Sequence, residues 1–313
     1  MATLKTIRTR IASVKNTQKI TKAMKMVSAA KLRRAQTRLI NARPYADKMQ
    51  EILSRVVRLM EDKSHPLFEK REKVKVAQYF ILTSDRGLCG GFNGNLLRRI
   101  EKVLQEKSMG GIGGRENSTP DFKPASGFAS AGGLEVKVDL VGRRGRDYFR
   151  SRHRELDQFL TGFPEDMPFE QTLKMANDFI SGYREGKFDE LYLVYNYFRS
   201  AISQEIRIEK ILPFEVSSSK ESESFEYLPQ HLYEPSQAEV LEKLIPRALA
   251  IMIRRAFLES TAGEYGARMV AMDNATRNSS DMIFNLTLQM NRLRQAAITK
   301  ELMDIVNGAE SLK

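Results

Sequence analysis

Residues 1–60 read MATLKTIRTRIASVKNTQKITKAMKMVSAAKLRRAQTRLINARPYADKMQEILSRVVRLM, and their pattern dominates the architecture of the chain. A series of positions in this stretch keeps strict heptad spacing, which is typical of a helix that packs along one partner helix. A helix over these residues would be on the order of 85 Å long, so one small domain cannot bury it. The series is Leu4, Ile7, Ile11, Val14, Gln18, Thr21, Lys25, Ser28, Leu32, Ala35, Leu39, Ala42, Ala46, Met49, Leu53, Val56 and Met60.

The other end of the chain has a matching pattern. A second heptad series begins at Leu249 and continues to Leu312, and like the first it is polar in its middle. Two terminal helices with the same period predict an antiparallel coiled coil within the chain, with left-handed supercoiling. In its second half the predicted seam consists of Asn274, Arg277, Asp281, Phe284, Leu288, Asn291, Gln295, Ile298, Leu302, Ile305, Ala309 and Leu312.

Local signals refine this prediction. Ser236 followed by Glu239 predicts a capping box that opens the C-terminal helix. Pro44 and Pro246 lie inside the two predicted helices. Because proline lacks a backbone donor and clashes with the preceding turn, we expect a kink or a restart of the helix at each.

The excess positive charge is concentrated in the first helix. Residues 1–58 carry 15 of the 51 basic residues and 2 of the 39 acidic ones, a net charge of +13 within a total of +12. A solvated face, a phosphate backbone and an acidic protein surface are all compatible with this charge. Tyr45 is the one aromatic residue before Phe68, which weakens the nucleic-acid alternative because single-stranded nucleic acids stack on aromatic rings.

The middle of the chain has a different period. Apolar runs that read as strands alternate with helical segments, which predicts a small, largely parallel α/β domain inserted between the two long helices. The predicted strands are 74–82, 134–141, 189–197 and 202–212, and the predicted helices are 95–107, 143–151 and 169–185. The glycine-rich residues 108–133 are predicted to be a flexible surface insert.

Three domains follow from these patterns. Residues 1–60 form an N-terminal coiled-coil helix, residues 73–215 a central Rossmann-like α/β domain, and residues 236–313 a C-terminal coiled-coil helix. The basic start of the chain superficially resembles a transit peptide. We interpret it as part of the mature helix, because its heptads continue without a break.

The search for chemistry yields one motif, Gly87-Leu88-Cys89-Gly90-Gly91-Phe92-Asn93-Gly94, which follows a strand and precedes a helix. Phosphate loops occupy such a place, but the fingerprint spacing of a dinucleotide or mononucleotide loop is absent, so a tight backbone turn is favoured. The three histidines are far apart and Cys89 has no evident partner base. The sequence therefore predicts no catalytic residue, no cofactor and no metal site.

Four separated segments resemble the gamma subunit family of F-type ATP synthases. They are IASVKNTQKITKAMKMVSAAKLRRAQ at 11–36, SDRGLCGGFN at 84–93, GARMVAMDNATRNSSDMI at 266–283 and ITKELMDIVNGAES at 298–311. The resemblance implies a non-catalytic rotor that couples proton flow to ATP synthesis or hydrolysis. Its partners would be the alpha and beta subunits of the catalytic ring, the epsilon subunit and the c-subunit ring.

The resemblance also implies particular contacts. Met24 and Lys25 would meet the beta-subunit lever, and Arg294 and Gln295 a beta-subunit catch loop. It implies no nucleic-acid partner, and a place on the cytoplasmic face of the bacterial inner membrane that is reached through the complex alone. Two alternatives stay open at this point: a nucleotide-binding α/β enzyme that uses the Gly87–Gly94 loop, and a basic coiled-coil nucleic-acid binder.

Overall fold

A computed structural model describes residues 4–58, 67–68, 71, 74–108, 134–153, 156–162, 165–214 and 236–310. The chain divides into two compact units, one of Met1–Lys31 with Arg268–Lys313 and one of Leu32–Ala267. The predicted insert from residue 109 onward and the polar stretch 217–224 lie outside the described residues.

Two long helices begin and end the described chain. Helix α1 spans Leu4–Arg58 and helix α5 spans Gln237–Glu310. In α1 every described position of the predicted heptad series is buried or half-buried, from Leu4 to Val56. The predicted N-terminal seam is therefore confirmed along its described length.

The sheet lies between them in the sequence. It contains β1 (Val76–Leu82), β2 (Glu135–Val141), β3 (Gln158–Leu160), β4 (Glu190–Phe198) and β5 (Gln204–Leu212). The strand order is β3-β2-β1-β4-β5, with parallel neighbours except for the antiparallel pair β4 and β5. The predicted, largely parallel α/β domain is confirmed, although the three-residue strand β3 was not predicted.

Three shorter helices accompany the sheet: α2 (Phe92–Ser108), α3 (Arg143–Arg150) and α4 (Phe169–Arg184). One apolar core joins Ala77, Tyr79 and Ile81 of β1 to residues of α2 and α3. A second core joins alternate residues Phe80 and Leu82 to α4 and to parts of α1 and α5. Because successive side chains of a strand point to opposite faces, both faces of the sheet are covered.

The structure excludes one of the two outcomes expected at the prolines. Helix α1 continues through Pro44 and α5 continues through Pro246, so neither helix restarts there, and a kink at either proline stays a prediction. A proline removes one backbone hydrogen bond, and packing of the flanking residues, such as the fully buried Leu249 after Pro246, can offset that loss.

The predicted capping box at the start of α5 is confirmed for the bond that the Ser236 side chain accepts. The Glu239 backbone N–H donates to Ser236 Oγ at 3.3 Å, and the Val240 N–H donates to the Ser236 carbonyl at 3.1 Å. The first bond satisfies a donor of the first turn that has no partner within the helix, and the second is the first backbone bond of the helix itself.

The predicted seam of α5 is wrong beyond residue 270. Phe284 is 65% exposed and Leu288 43%, although both lie in the stretch of α5 that pairs with α1. A series shifted by two residues contains no exposed member, namely Met272, Thr276, Ser279, Ile283, Leu286, Met290, Leu293 and Ala297. A shift of two residues moves the seam about 200° around a helix, to nearly the opposite face.

The cause of this error lies in the earlier part of α5. Between Leu241 and Tyr265 the helix is buried on several sides, since α1, α4 and the sheet share a core with it. Heptad positions there are buried together with most of their neighbours, so the count started at Leu249 did not identify the face turned toward α1. In the unit of Met1–Lys31 and Arg268–Lys313, by contrast, the covered residues of α5 are those on the face turned toward α1.

Candidate functional site

The two long helices are joined at the polar middle of their seam. Lys25 Nζ lies 2.6 Å from Asp273 Oδ1, and Thr276 Oγ1 donates to Thr21 Oγ1 at 2.8 Å. Gln18 Nε2 donates to Ser280 Oγ at 2.6 Å. Polar seam positions of this kind specify register, because a slip would leave their donors and acceptors unpaired.

Ionisation of Asp273 is favoured by its neighbours. The hydrogen bond from Lys25 is the main cause that lowers the pKa of the Asp273 carboxyl, and Arg277 one turn later adds to it at 2.9 Å. The Lys25 side chain nevertheless stays 43% exposed. Lys25 therefore stabilises the pairing of α1 with α5, and part of its side chain remains accessible to a partner.

The outer face of α1 carries a basic stripe, defined here as Lys5, Arg8, Lys15, Lys19 and Lys22. All five are exposed, and their spacing of three, four or seven residues places them along one face of the helix. Asp47 is the first acidic residue of the chain, so α1 has no acid of its own beside this stripe. The stripe suits an acidic partner surface.

The structure places the four sequence-predicted contact residues in two groups. Met24 is half-buried beside Lys25, whereas Arg294 and Gln295 are exposed on α5. The pairing of Lys25 with Asp273 puts about 20 residues of α5 between the groups, or about 30 Å along the axis. The four residues therefore form two separate surfaces.

The glycine-rich loop after β1 is closed by its own side chains. Asn93 Oδ1 accepts from the Ser84 backbone N–H at 3.1 Å, and Asn93 Nδ2 donates to Ser84 Oγ at 2.7 Å. Leu88 and Gly90 have positive φ angles of 65° and 57°, and the Cys89 thiol is buried. This geometry favours the tight turn over a phosphate cradle.

Backbone donors near this loop are also occupied. Asp85 accepts from the Arg143 N–H at the start of α3 at 3.0 Å and from the Gly162 N–H at 3.2 Å. A carboxylate at these amides takes the place that an anionic ligand would need.

The crevice between β1 and β4 is where ligands bind in many open α/β sheets, because the strand order reverses there. Here α5 fills it. Glu259 is fully buried and accepts from the Phe198 backbone N–H at 2.9 Å, and a Cβ on Gly263 would lie 3.0 Å from the Phe92 ring. The hydrogen bond to Glu259 is the main cause that raises the pKa of Arg43, which reaches this carboxylate from α1.

Within the described residues, no group of three or more His, Cys, Asp and Glu side chains is placed to hold a metal ion. Across the same residues no helix is both long and apolar enough to span a membrane. The surface of the helix pair, with its basic stripe, is therefore the candidate functional site.

Comparison with known proteins agrees with this geometry. The ATP synthase family model matches residues 3–312. The chain is 43% identical to the ATP synthase gamma chain of Geobacter metallireducens and 44% identical to that of Geotalea daltonii, with all of each chain covered. The chain belongs to the ATP synthase gamma chain family. The resemblance stated from four sequence segments is thereby confirmed over the whole length.

Solved structures show the same fold. The rotor of the Euglena gracilis mitochondrial ATP synthase matches with a TM-score of 0.62 at 19% identity, covering 94% of this chain and 98% of that one. The central stalk and c-ring structure from Tetrahymena thermophila contains a chain that matches with a TM-score of 0.57 at 24% identity, covering 82% and 99%. At these identities the matches establish the fold alone.

Membership of the gamma chain family makes this chain a non-catalytic subunit of a membrane-associated complex, as predicted. Sequence reasoning missed two buried polar groups that the fold assembles. One is Glu259 with Arg43, 216 residues apart. The other is Asp139, which accepts from Gln78 Nε2 across neighbouring strands, and whose burial raises the pKa of its carboxyl to about 6. A polar residue at a core position of a strand was the available signal for Asp139.

Proposed function

We propose that this chain is the central-stalk rotor of an ATP synthase. It couples proton flow through the membrane sector to ATP synthesis or hydrolysis in the ring of alpha and beta subunits. The observation that carries the proposal is the full-length identity of 43% with a bacterial gamma chain. The paired helices, whose register is specified by polar contacts, agree with a part that transmits force and carries out no chemistry.

Such a rotor acts because different faces of its helix pair contact the beta subunits. A face of the helix pair that presents the basic stripe stabilises one conformation of a beta subunit, and another face of the same pair stabilises a different one. Rotation therefore shifts the populations of the beta conformers in turn. The energy for this shift comes from contacts, so the rotor itself breaks no covalent bond.

Met24 and Lys25 are the proposed contacts of the beta-subunit lever, and Arg294 and Gln295 those of a beta-subunit catch loop. Exposure of Arg294, Gln295 and part of Lys25 supports contact with a partner. The distance of about 30 Å between the two groups along α5 supports separate partner elements.

Each of the three domains predicted from the sequence has its own proposed role. Residues 1–60 and 236–313 form the shaft, and residues 73–215 form a foot that meets the epsilon subunit and the c-subunit ring. We place the chain peripherally on the cytoplasmic face of the bacterial inner membrane, where it is held by these partners. Its match to bacterial gamma chains over their full length supports this location.

Reconstitution tests the proposal. A probe on α2, attached through Lys102→Cys in a Cys89→Ser background, reports rotation when the chain is assembled with alpha and beta subunits and given ATP. We expect unidirectional rotation in the assembly and no ATP hydrolysis by the purified chain alone. ATP hydrolysis by the chain alone, or an assembly that hydrolyses ATP while the probe stays still, would reject the rotor function.

A further inference from the structure

A buried ion pair joins both long helices to the sheet. Arg43 of α1 donates to Glu259 of α5 through Nε at 2.9 Å and through Nη2 at 3.0 Å. Glu259 is fully buried, and the Arg43 side chain is 30% exposed. The planar guanidinium makes this fork possible, since it presents parallel donors to both carboxylate oxygens.

The same two side chains hold one residue of the sheet. Phe198, the last residue of β4, donates its N–H to Glu259 Oε2 at 2.9 Å, and its carbonyl accepts from Arg43 Nη2 at 2.9 Å. Strand β1 pairs with β4 only as far as Val194, so among the described residues no strand lies beside this edge of β4 at Phe198. The ion pair thus supplies the donor and the acceptor that a neighbouring strand would have supplied.

The surroundings reinforce this arrangement. Arg255 lies one turn before Glu259 on α5, with Nε 4.0 Å from Glu259 Oε1, and its Nη1 pairs with Asp47 of α1 at 2.9 Å. The Arg43 guanidinium also lies 5.1 Å from the centre of the Tyr197 ring. Polar contacts between α1, α5 and β4 therefore converge on a single point.

We propose that the Arg43–Glu259 pair, through its hold on Phe198, is the joint that transmits torque between the α/β domain and the two long helices. The apolar core shared by α1, α5 and the sheet resists their separation, and the bidentate pair adds contacts whose energy depends on angle as well as on distance. The inference rests on the proposed rotor function and adds the positioning residues that this function would need.

The test measures torsional stiffness in the assembled complex. The catalytic ring is fixed to a surface and stalled with a non-hydrolysable ATP analogue, and the angular variance of the probe on α2 is recorded. We expect Arg43→Lys to raise this variance at least about twofold, because the ammonium lacks the planar fork with which Arg43 binds both carboxylate oxygens and the Phe198 carbonyl together. If Arg43→Lys fails to assemble, Glu259→Gln is measured by the same criterion.

Two control variants distinguish loss of this joint from a general loss of stability as the cause of a larger angular variance. Arg199→Lys alters the exposed Arg199–Glu205 pair at the turn between β4 and β5, and Ile180→Val loosens the core of α4 without touching the ion pair. A variance for Arg43→Lys no larger than that of these controls would overturn the inference. Failure of the wild-type assembly to rotate would instead reject the rotor function itself.

Discussion

Lys25 Nζ and Asp273 Oδ1 lie 2.6 Å apart, although 248 residues separate them in the chain. This contact and its neighbours, Thr21 with Thr276 and Gln18 with Ser280, set the register of α1 against α5. The pair explains why a lysine occupies a seam position where an apolar residue would ordinarily pack.

A first prediction concerns this pair. Lys25→Asp places two carboxylates against each other, and we expect amide hydrogen exchange near residues 18–28 to become severalfold faster. The double variant Lys25→Asp with Asp273→Lys should restore slow exchange, because the opposite charges are again paired. Equal exchange in the single and double variants would contradict a register role. The pKa of Asp273 is lowered, so the stabilisation exists above the ordinary value of 3.8 and is lost as pH falls through the folded value.

A second prediction concerns the buried Asp139. Its pKa is raised from 3.8 to about 6, so the folded state binds a proton more readily than the unfolded state. The Asp139 carboxyl therefore contributes fully to the free energy of unfolding below pH 3.8. That contribution is lost as the pH rises from 3.8 to about 6. At pH 8 we expect Asp139→Asn to raise the free energy of unfolding by about 2–3 kcal/mol, from about 1.4 kcal/mol per unit of pKa.

Denaturant unfolding at pH 5 and at pH 8 would measure this difference. The carbonyl oxygen of the introduced asparagine can still accept the hydrogen bond of Gln78. Asp147→Asn on the exposed face of α3 is the matched control and should change stability little at either pH. A gain from Asp139→Asn that is as large at pH 5 as at pH 8 would contradict the assignment.

A third prediction concerns the turn between β2 and α3. Gly142 has a φ of 96°, and a Cβ there would lie 2.3 Å from the Thr83 carbonyl oxygen. We expect Gly142→Ala to lower the free energy of unfolding by at least about 2 kcal/mol, from backbone strain and a clash with the main chain.

The matched control is Gly94→Ala. Gly94 lies in the first turn of α2, and a Cβ there meets no atom of the described residues within 4 Å. Alanine favours the helix over glycine, so we expect a gain of about 0.5–1 kcal/mol. Thermal unfolding of the two variants side by side would show opposite signs. Equal effects would mean that the left-handed geometry at Gly142 is not required.

A fourth prediction concerns the proposed lever contact. Met24→Lys adds a positive charge next to Lys25, which should strengthen attraction to an acidic partner surface and hold the rotor longer in one position. In membranes carrying the complex, we expect ATP hydrolysis to continue while ATP synthesis falls severalfold. Thr37→Lys adds the same charge at an exposed position of α1 outside the basic stripe and should leave synthesis near the wild-type rate. Equal rates in the two variants would argue against Met24 as a contact.

Much of the architecture could be read from local pattern. The seam from Leu4 to Val56 was predictable because α1 is covered mainly along one stripe, so period and burial coincide. Four of the five strands in the described residues were predictable from apolar runs. The three residues of β3 were not, because so short a segment has no measurable period.

Local sequence was sufficient to specify that two long helices pair and that an α/β domain interrupts them, because heptads and alternating strands are properties of neighbouring residues. The face of α5 that meets α1 emerged from the three-dimensional packing, which moved the seam from Phe284 to Ile283 and Leu286. The same packing brought Arg43 to Glu259 at the end of β4. Both depend on contacts between residues more than two hundred positions apart. A repeat among neighbouring residues does not specify on which side of a helix so distant a segment packs.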